Sequence, residues 1–189
     1  MPVSYTHLDV YKRQVQSMKQ LLAHKPLEEI SVGDIAAHSG MSRNTFYYHF
    51  QDKYDLVNWI FRTESAAFLA KAPTRDNWQD ILRGLCRYFE ENRAFYRNAL
   101  AYTGQNSLRE YLFDTFSGVV QQHLKSADSS LAPEDVAFAG EFFAATIVGL
   151  LERWCSRGMR EEDAERYEKC LARILSGEML EAYLHGSSG

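Results

Sequence analysis

Hydrophobic residues recur every three or four positions along almost the whole chain, and this spacing predicts helices. The first such stripe consists of Tyr11, Val15, Met18 and Leu22. Later periodic segments predict further helices near residues 76–91, 94–102, 105–126, 134–157 and 162–184. No segment alternates polar and apolar residues for long enough to predict a strand. We therefore expect an all-α fold.

Start and stop signals divide the segment after the first stripe into short units. The residue before Pro26 is disfavoured in the α region, so the first helix should end there. Ser31, followed three residues later by Asp34, predicts a variant capping box that opens a helix from Val32 to Ser39. Gly40 supplies the left-handed conformation that commonly ends such a helix.

Two more helix starts follow closely. Ser42 is placed to cap a helix from Arg43 to His49, and Asp52 is placed to cap a third helix. The apolar period of that third helix continues to about Ala70, and Pro73 closes the segment.

Residues 31–49 thus have the dimensions of a helix-turn-helix, in which the second helix enters the DNA major groove. Gly40 is the turn, and apolar side chains where the helices cross are supplied by Ile35, Ala36, Met41 and Phe46. The outward face is polar and aromatic and consists of Arg43, Asn44, Thr45, Tyr47, Tyr48 and His49.

Residues 30–61 resemble the DNA-binding segment of TetR-family transcription regulators. The shared pattern comprises Ile35-Ala36, Gly40, Ser42, the run from Thr45 to Phe50, and Lys53. The resemblance implies an N-terminal three-helix bundle containing the helix-turn-helix, followed by a larger helical domain for regulation and dimerisation.

The resemblance also implies roles for single residues. Side chains at positions that usually contact DNA phosphates are Ser42, Thr45, Tyr47, His49 and Lys53. Side chains at positions that face base edges are Arg43, Asn44 and Tyr48. We expect five of these side chains to be exposed to solvent, namely Arg43, Asn44, Tyr47, Tyr48 and Lys53. Gly33 departs from the pattern, because many members carry a longer side chain there that adds a base contact.

Residues 91–112 and 142–159 resemble the regulatory domain of a TetR subgroup that includes regulators of dihydroxyacetone-kinase operons. Such domains often hold a ligand pocket, for which the candidate lining residues are Trp78, Phe89, Asn98, Tyr102, Gln105, Phe113 and Glu141. Stripes on the last two helices predict a dimer interface made of Phe143, Ile147, Leu150, Trp154, Tyr167, Leu171 and Ile174. The alternative is that both stripes only fill the core of one subunit.

Composition narrows the function classes. The chain has 189 residues and a net charge of −4, but residues 1–62 hold seven Lys and Arg against six Asp and Glu. The remainder holds 14 bases against 19 acids, so a slightly basic N-terminal part precedes an acidic one. This asymmetry is compatible with a polyanionic partner at the N-terminal part.

Other classes find no support. No apolar run is long enough to span a bilayer, and three scattered cysteines match neither a disulfide framework nor a zinc site. The histidines are dispersed, and there is no glycine-rich phosphate loop or Gly-x-Ser-x-Gly elbow, so we expect neither an enzyme nor a cofactor or metal. The expected location is the cytoplasm.

The first 14 residues resemble translated linker sequence found at the ends of metagenome-derived open reading frames, and we expect them to be non-native. We expect residues 15–62 to bind DNA and residues 63–185 to sense a ligand and dimerise. The predicted function is sequence-specific transcription regulation by a homodimer on a palindromic operator in double-stranded DNA, controlled by a small-molecule or protein effector. The alternative is a helical adaptor that binds a protein partner without reading DNA.

Overall fold

The computed structural model describes residues 7–69 and 77–176, and the regular elements in these two ranges are all helical. The expected all-α fold is confirmed. The helices in chain order are α1 (His7–Leu22), a 3-10 helix (Leu27–Glu29), α2 (Val32–Ser39), α3 (Arg43–His49), α4 (Lys53–Leu69), α5 (Trp78–Glu91), α6 (Arg93–Ala101), α7 (Leu108–Ala127), α8 (Pro133–Ser156) and α9 (Glu161–Leu175). We call residues 7–62 the head, and residues 63–69 with 77–176 the body.

The predicted signals around α2 are confirmed. The Asp34 backbone N–H donates to the Ser31 hydroxyl at 3.1 Å, and the Ser31 N–H donates to the Asp34 carboxylate at 2.8 Å, which completes a capping box. The backbone hydrogen bond from Ser31, aided by its hydroxyl and by Lys25, lowers the pKa of Asp34 to about 2. Gly40 ends the helix with φ 69° and ψ 30°, the left-handed conformation that glycine adopts without strain.

The next two helix starts also agree with the sequence. The Ser42 hydroxyl accepts the Thr45 N–H at 3.0 Å at the start of α3. One Asp52 carboxylate oxygen accepts the N–H groups of Tyr54 and Asp55, each at 2.8 Å, at the start of α4. The predicted end near Ala70, the closing proline at 73 and the last part of the predicted helix 162–184 lie outside the described residues.

A 3-10 helix at Leu27–Glu29 was not anticipated. It follows Pro26 and buries Leu27, and the adjoining Ile30 is buried as well. Three residues are too few to show a period, so the sequence offered no pattern for this element. The element brings the carbonyl groups of the α1–α2 connection close to the start of α4.

Helix α4 joins the two parts through one continuous core. Leu56, Ile60 and Phe61 on α4 are fully buried. The Phe61 ring lies 6.1 Å from the ring of Phe89 and 6.5 Å from that of Tyr96, both in the body. The predicted domain boundary after residue 62 therefore falls inside a helix that packs on both sides, and the division into two functional domains stays a prediction.

The described part of the first 14 residues, from His7 to Gln14, is helical. It forms the first half of α1, which continues to Leu22. Tyr11 stacks on Trp59 of α4, with ring centroids 5.0 Å apart and ring planes 9° apart. Gln14 is fully buried, yet neither atom of its amide has a hydrogen-bond partner. An unpaired buried amide is unfavourable, and it lies at the last residue of the linker-like segment.

This buried amide generates a stability prediction. Gln14→Leu should raise the free energy of unfolding by about 1–2 kcal/mol, because it removes an unsatisfied buried polar group. The matched control is Gln16→Leu on the exposed side of the same helix, which should leave stability almost unchanged. Both are measured by chemical denaturation followed by circular dichroism. A loss of stability in Gln14→Leu would show that the amide is satisfied in solution.

Candidate DNA-binding surface

The eight predicted DNA-contacting residues lie in one stretch of the head, on α3, its N-cap and the first residue of α4. Those whose side chains are exposed are Ser42, Arg43, Asn44, Tyr47 and Tyr48. Those that are half-buried are Thr45, His49 and Lys53. The eight residues therefore lie in one stretch of the chain, but five of their side chains are exposed and three are half-buried.

The orientation of α3 is fixed by two phenylalanines. Phe46 is fully buried and Phe50 nearly so, and their ring centroids lie 5.6 Å apart. With this side anchored, Tyr47 is 57% exposed and Tyr48 is 77% exposed. The predicted exposure of both tyrosines is confirmed, and their contact with DNA stays a prediction.

The start of α3 is held by two hydroxyl groups. The Ser42 and Thr45 hydroxyls are hydrogen-bonded at 2.9 Å, in addition to the cap between the same two residues. At the other end of the helix, the His49 ring lies 4.7 Å from the Tyr11 ring and 5.0 Å from the Tyr48 ring. These contacts fix the backbone that presents the exposed side chains.

Lys53 differs from the expectation. Its ammonium donates to the carbonyl oxygens of Leu27 at 2.7 Å, Ile30 at 2.8 Å and Glu28 at 3.0 Å. Three acceptors match the three N–H donors of an ammonium, and burial lowers the pKa of Lys53. The predicted exposure of Lys53 is wrong, because the unanticipated 3-10 helix aims its carbonyl groups at the start of α4. Its phosphate contact stays a prediction.

A polar network ties the head to the body. Lys19 on α1 donates to both carboxylate oxygens of Glu64, at 2.6 and 2.8 Å, and to the Asn92 side-chain oxygen at 2.9 Å. Glu64 also accepts the Tyr88 hydroxyl at 2.5 Å, and Tyr88 in turn accepts the Tyr96 hydroxyl at 2.7 Å. Burial raises the pKa of both tyrosines, so they stay protonated donors. The network connects α1 with α4, α5 and α6.

Two predicted ligand-pocket residues instead support the head. The Asn98 amide donates to the Leu22 carbonyl at the end of α1. The Tyr102 ring stacks on Tyr54, with centroids 4.5 Å apart and planes 14° apart. Sequence periodicity could not reveal these roles, because both partners lie far away in the chain.

The other predicted pocket residues are dispersed. Phe89 is fully buried in the core, Trp78 and Phe113 are half-buried, and Gln105 and Glu141 are exposed. The structure does have a cleft of about 200 Å³ between α5, the end of α8 and α9. None of the seven predicted residues lines it. Charged side chains at its rim are Arg83, Arg87, Glu90, Glu161, Glu165 and Glu168.

The predicted dimer interface needs one correction. Trp154 is buried within the subunit, and its indole N–H donates to the Arg160 carbonyl at 2.8 Å, so it is not available to a partner. The half-buried members are Phe143, Ile147, Leu150, Tyr167 and Leu171, of which the last four line the apolar continuation of the cleft. Ile174 is exposed.

The apolar surface that α8 exposes was missed. Phe138 is 70% exposed and Phe142 is 56% exposed, and their ring centroids lie 6.4 Å apart. Their spacing of four residues was the available signal, since it places both on one side of a helix. Apolar residues surround α8 on several sides, so periodicity alone did not identify which side is exposed.

Within residues 7–69 and 77–176, no group of His, Cys, Asp and Glu could hold a metal ion. No helix among these described residues is both long and apolar enough to cross a membrane. Burial raises the pKa of Cys86 to about 11 and that of Cys155 to about 12, which disfavours the reactive thiolate in both.

Two family descriptions match this chain. Residues 18–60 match the bacterial regulatory proteins of the tetR family, and residues 76–175 match a transcriptional regulator C-terminal region. A curated relative is the HTH-type dhaKLM operon transcriptional activator DhaS of Lactococcus lactis subsp. lactis (strain IL1403), 34% identical over 82 residues. The match covers 43% of this chain and 44% of the relative, so it spans less than half the relative's length.

Solved structures share the fold at lower identity. The dihydroxyacetone kinase operon activator DhaS has a TM-score of 0.62 and 22% identity, covering 89% of this chain and 95% of that one. NalD, the secondary repressor of the MexAB-OprM multidrug efflux pump in Pseudomonas aeruginosa, has a TM-score of 0.65 and 17% identity, covering 91% and 97%. At these identities the likeness shows the fold alone.

The position of Lys53 gives a prediction that separates stability from DNA binding. Lys53→Met should lower the free energy of unfolding by about 1–2 kcal/mol, because three hydrogen bonds from a charged donor are lost. Lys125→Met, at an exposed lysine of α7, is the control and should have little effect. Denaturant titration measures both. Unchanged stability together with a flatter salt dependence of DNA binding would show that Lys53 contacts phosphate in solution.

Proposed function

This chain belongs to the TetR family of bacterial regulatory proteins, and we propose that it regulates transcription by binding operator DNA sequence-specifically as a homodimer. The observation that carries the proposal is the outward face of α3. Four of its side chains, Arg43, Asn44, Tyr47 and Tyr48, are exposed at positions that match the family pattern. The opposite face is anchored by buried phenylalanines.

Different side chains on and beside α3 suit contacts with DNA phosphates and contacts with base edges. Ser42, Thr45 and Tyr47 carry hydroxyl groups suited to phosphate oxygens, and such contacts set the register on the duplex. Arg43 and Asn44 carry the bidentate donors and acceptors that distinguish guanine and adenine in the major groove. The remaining proposed phosphate contacts are His49, the last residue of α3, and Lys53.

A dimer would bring a second copy of α3 to the same operator. The exposed Phe138 and Phe142 form an apolar surface on α8, next to the small exposed residues Ala145 and Gly149, which permit close approach of another helix. Two copies of α3 related by a two-fold axis would bind two half-sites, which for helix-turn-helix dimers lie about 34 Å apart, one turn of DNA. The operator should therefore be palindromic.

The body is the part of the chain that we propose binds an effector. The cleft between α5, α8 and α9 combines an apolar floor with a charged rim, which suits a small molecule that has both apolar and polar parts. The network from Lys19 through Glu64 to Tyr88 and Tyr96 gives a route by which a shift of α5 or α6 would reorient α1. The proposed setting is the bacterial cytoplasm.

The function is tested on the operator, which is obtained by selecting bound duplexes from random-sequence DNA. Tyr47→Phe should weaken binding to operator and random DNA alike, by about 0.5–1.5 kcal/mol per subunit, because it removes one phosphate hydrogen bond. Asn44→Ala should cost about 1–3 kcal/mol on the operator and far less on random DNA. Fluorescence anisotropy at several salt concentrations measures both. Failure to select any duplex would contradict the function.

A substitution that introduces a charge on α8 tests the proposed dimer surface. Phe142→Glu should convert the dimer to a monomer without unfolding it, because the side chain is exposed within the subunit and a buried unpaired carboxylate would oppose association. Ala66→Glu on the exposed side of α4 is the control and should remain dimeric. Light scattering gives the mass, with 21.8 kDa for one subunit. A dimeric Phe142→Glu variant would place the interface elsewhere.

A further inference from the structure

The side chain of Arg43 lies directly over Gly33. A Cβ atom at residue 33 would come within 2.5 Å of one terminal guanidinium nitrogen (Nη2) and within 3.1 Å of both Cζ and Nε. The first distance is shorter than any ordinary carbon–nitrogen contact. The guanidinium of α3 therefore occupies the space that a side chain on the first turn of α2 would fill.

The Arg43 guanidinium lies there without a hydrogen-bond partner among the described residues. Its side chain is exposed, and among the described residues none forms a hydrogen bond or an ion pair with the guanidinium. A guanidinium has five N–H donors in a fixed planar arrangement, and none of the five is bonded to a residue that the structure describes. Its place over Gly33 uses none of these donors.

We propose that Gly33 is a specificity-determining residue, which positions the Arg43 guanidinium to read a base pair. The inference rests on the proposed function, because it assumes that α3 faces DNA. The absence of a side chain at residue 33 leaves room for the guanidinium at this place, and its planar pair of donors matches guanine O6 and N7. Gly33 itself acts through Arg43 and needs no contact with DNA.

Gly33→Ala separates this role from folding. The atoms that the new methyl group would meet are the far end of a flexible side chain, so the arginine can move while the helix backbone stays in place. Gly33 is the second residue of α2, where alanine also restricts the unfolded chain more than glycine does. The variant should therefore be at least as stable as the wild type, while its guanidinium is displaced from the observed position.

The experiment is a double-mutant cycle with wild type, Gly33→Ala, Arg43→Ala and the double variant. Each is titrated with the operator selected by the wild type and with a random duplex, and its thermal stability is recorded. Gly118→Ala is the matched control, because a Cβ at that helical glycine meets nothing within 4 Å.

Gly33→Ala should lower the ratio of operator to random affinity by roughly 10-fold, within the range of one weakened base contact. In the Arg43→Ala background the same substitution should change the ratio by less than about 2-fold, because the group it displaces is absent. Gly118→Ala should leave the ratio unchanged.

Two results would overturn the inference alone. In the first, the wild type prefers its operator and Gly33→Ala keeps the same preference. In the second, Gly33→Ala lowers the ratio of operator to random affinity equally in the wild-type and Arg43→Ala backgrounds, which would show a structural effect independent of the arginine. A wild type without any sequence preference would instead overturn the proposed function, and the role of Gly33 with it.

Discussion

The burial of α4 in both parts of the molecule is the interaction on which the rest depends. Leu56 and Ile60 are buried alongside the head, and Phe61 meets the aromatic rings of α5, α6 and α7 in the body. Because α4 packs against the head and the body within one core, a reorientation of the head would change the packing of the body. The hydrogen bonds of Lys53 at one end of α4 and of Glu64 nearer the other reinforce this coupling.

The DNA-facing surface follows from that anchoring and from local chemistry. The capping box at Ser31, the left-handed Gly40 and the Ser42 cap set the two helix starts and the turn, and buried Phe46 sets the rotation of α3. What remains outside is a short row of polar and aromatic side chains. The alternative of an adaptor that does not read DNA finds no support in this row or in the family matches.

The sequence predicted those features that depend on neighbours within a few residues. Helix caps, the turn and the buried side of α3 are local, so their residue types and spacing were sufficient. The surroundings of Lys53 and Trp154 were not predictable in this way, because the Leu27 carbonyl that accepts from Lys53 belongs to another element and because α8 carries apolar residues on several sides. The cleft was not predicted for the same reason, since one wall comes from α5 and the others from α8 and α9, which lie far from α5 in the chain.

Hydroxyl-radical footprinting of the protein tests the central claim most directly, namely that the outward face of α3 binds DNA. Tyr47 and Tyr48 are exposed and readily oxidised, and the exposed Leu131, in the connection between α7 and α8, is the reference outside the proposed DNA-binding and dimer surfaces. With selected operator bound, the oxidation rates of both tyrosines should fall several-fold while that of Leu131 stays the same as in the DNA-free dimer. Unchanged rates at Tyr47 and Tyr48 in a sample whose DNA is fully bound would contradict the claim.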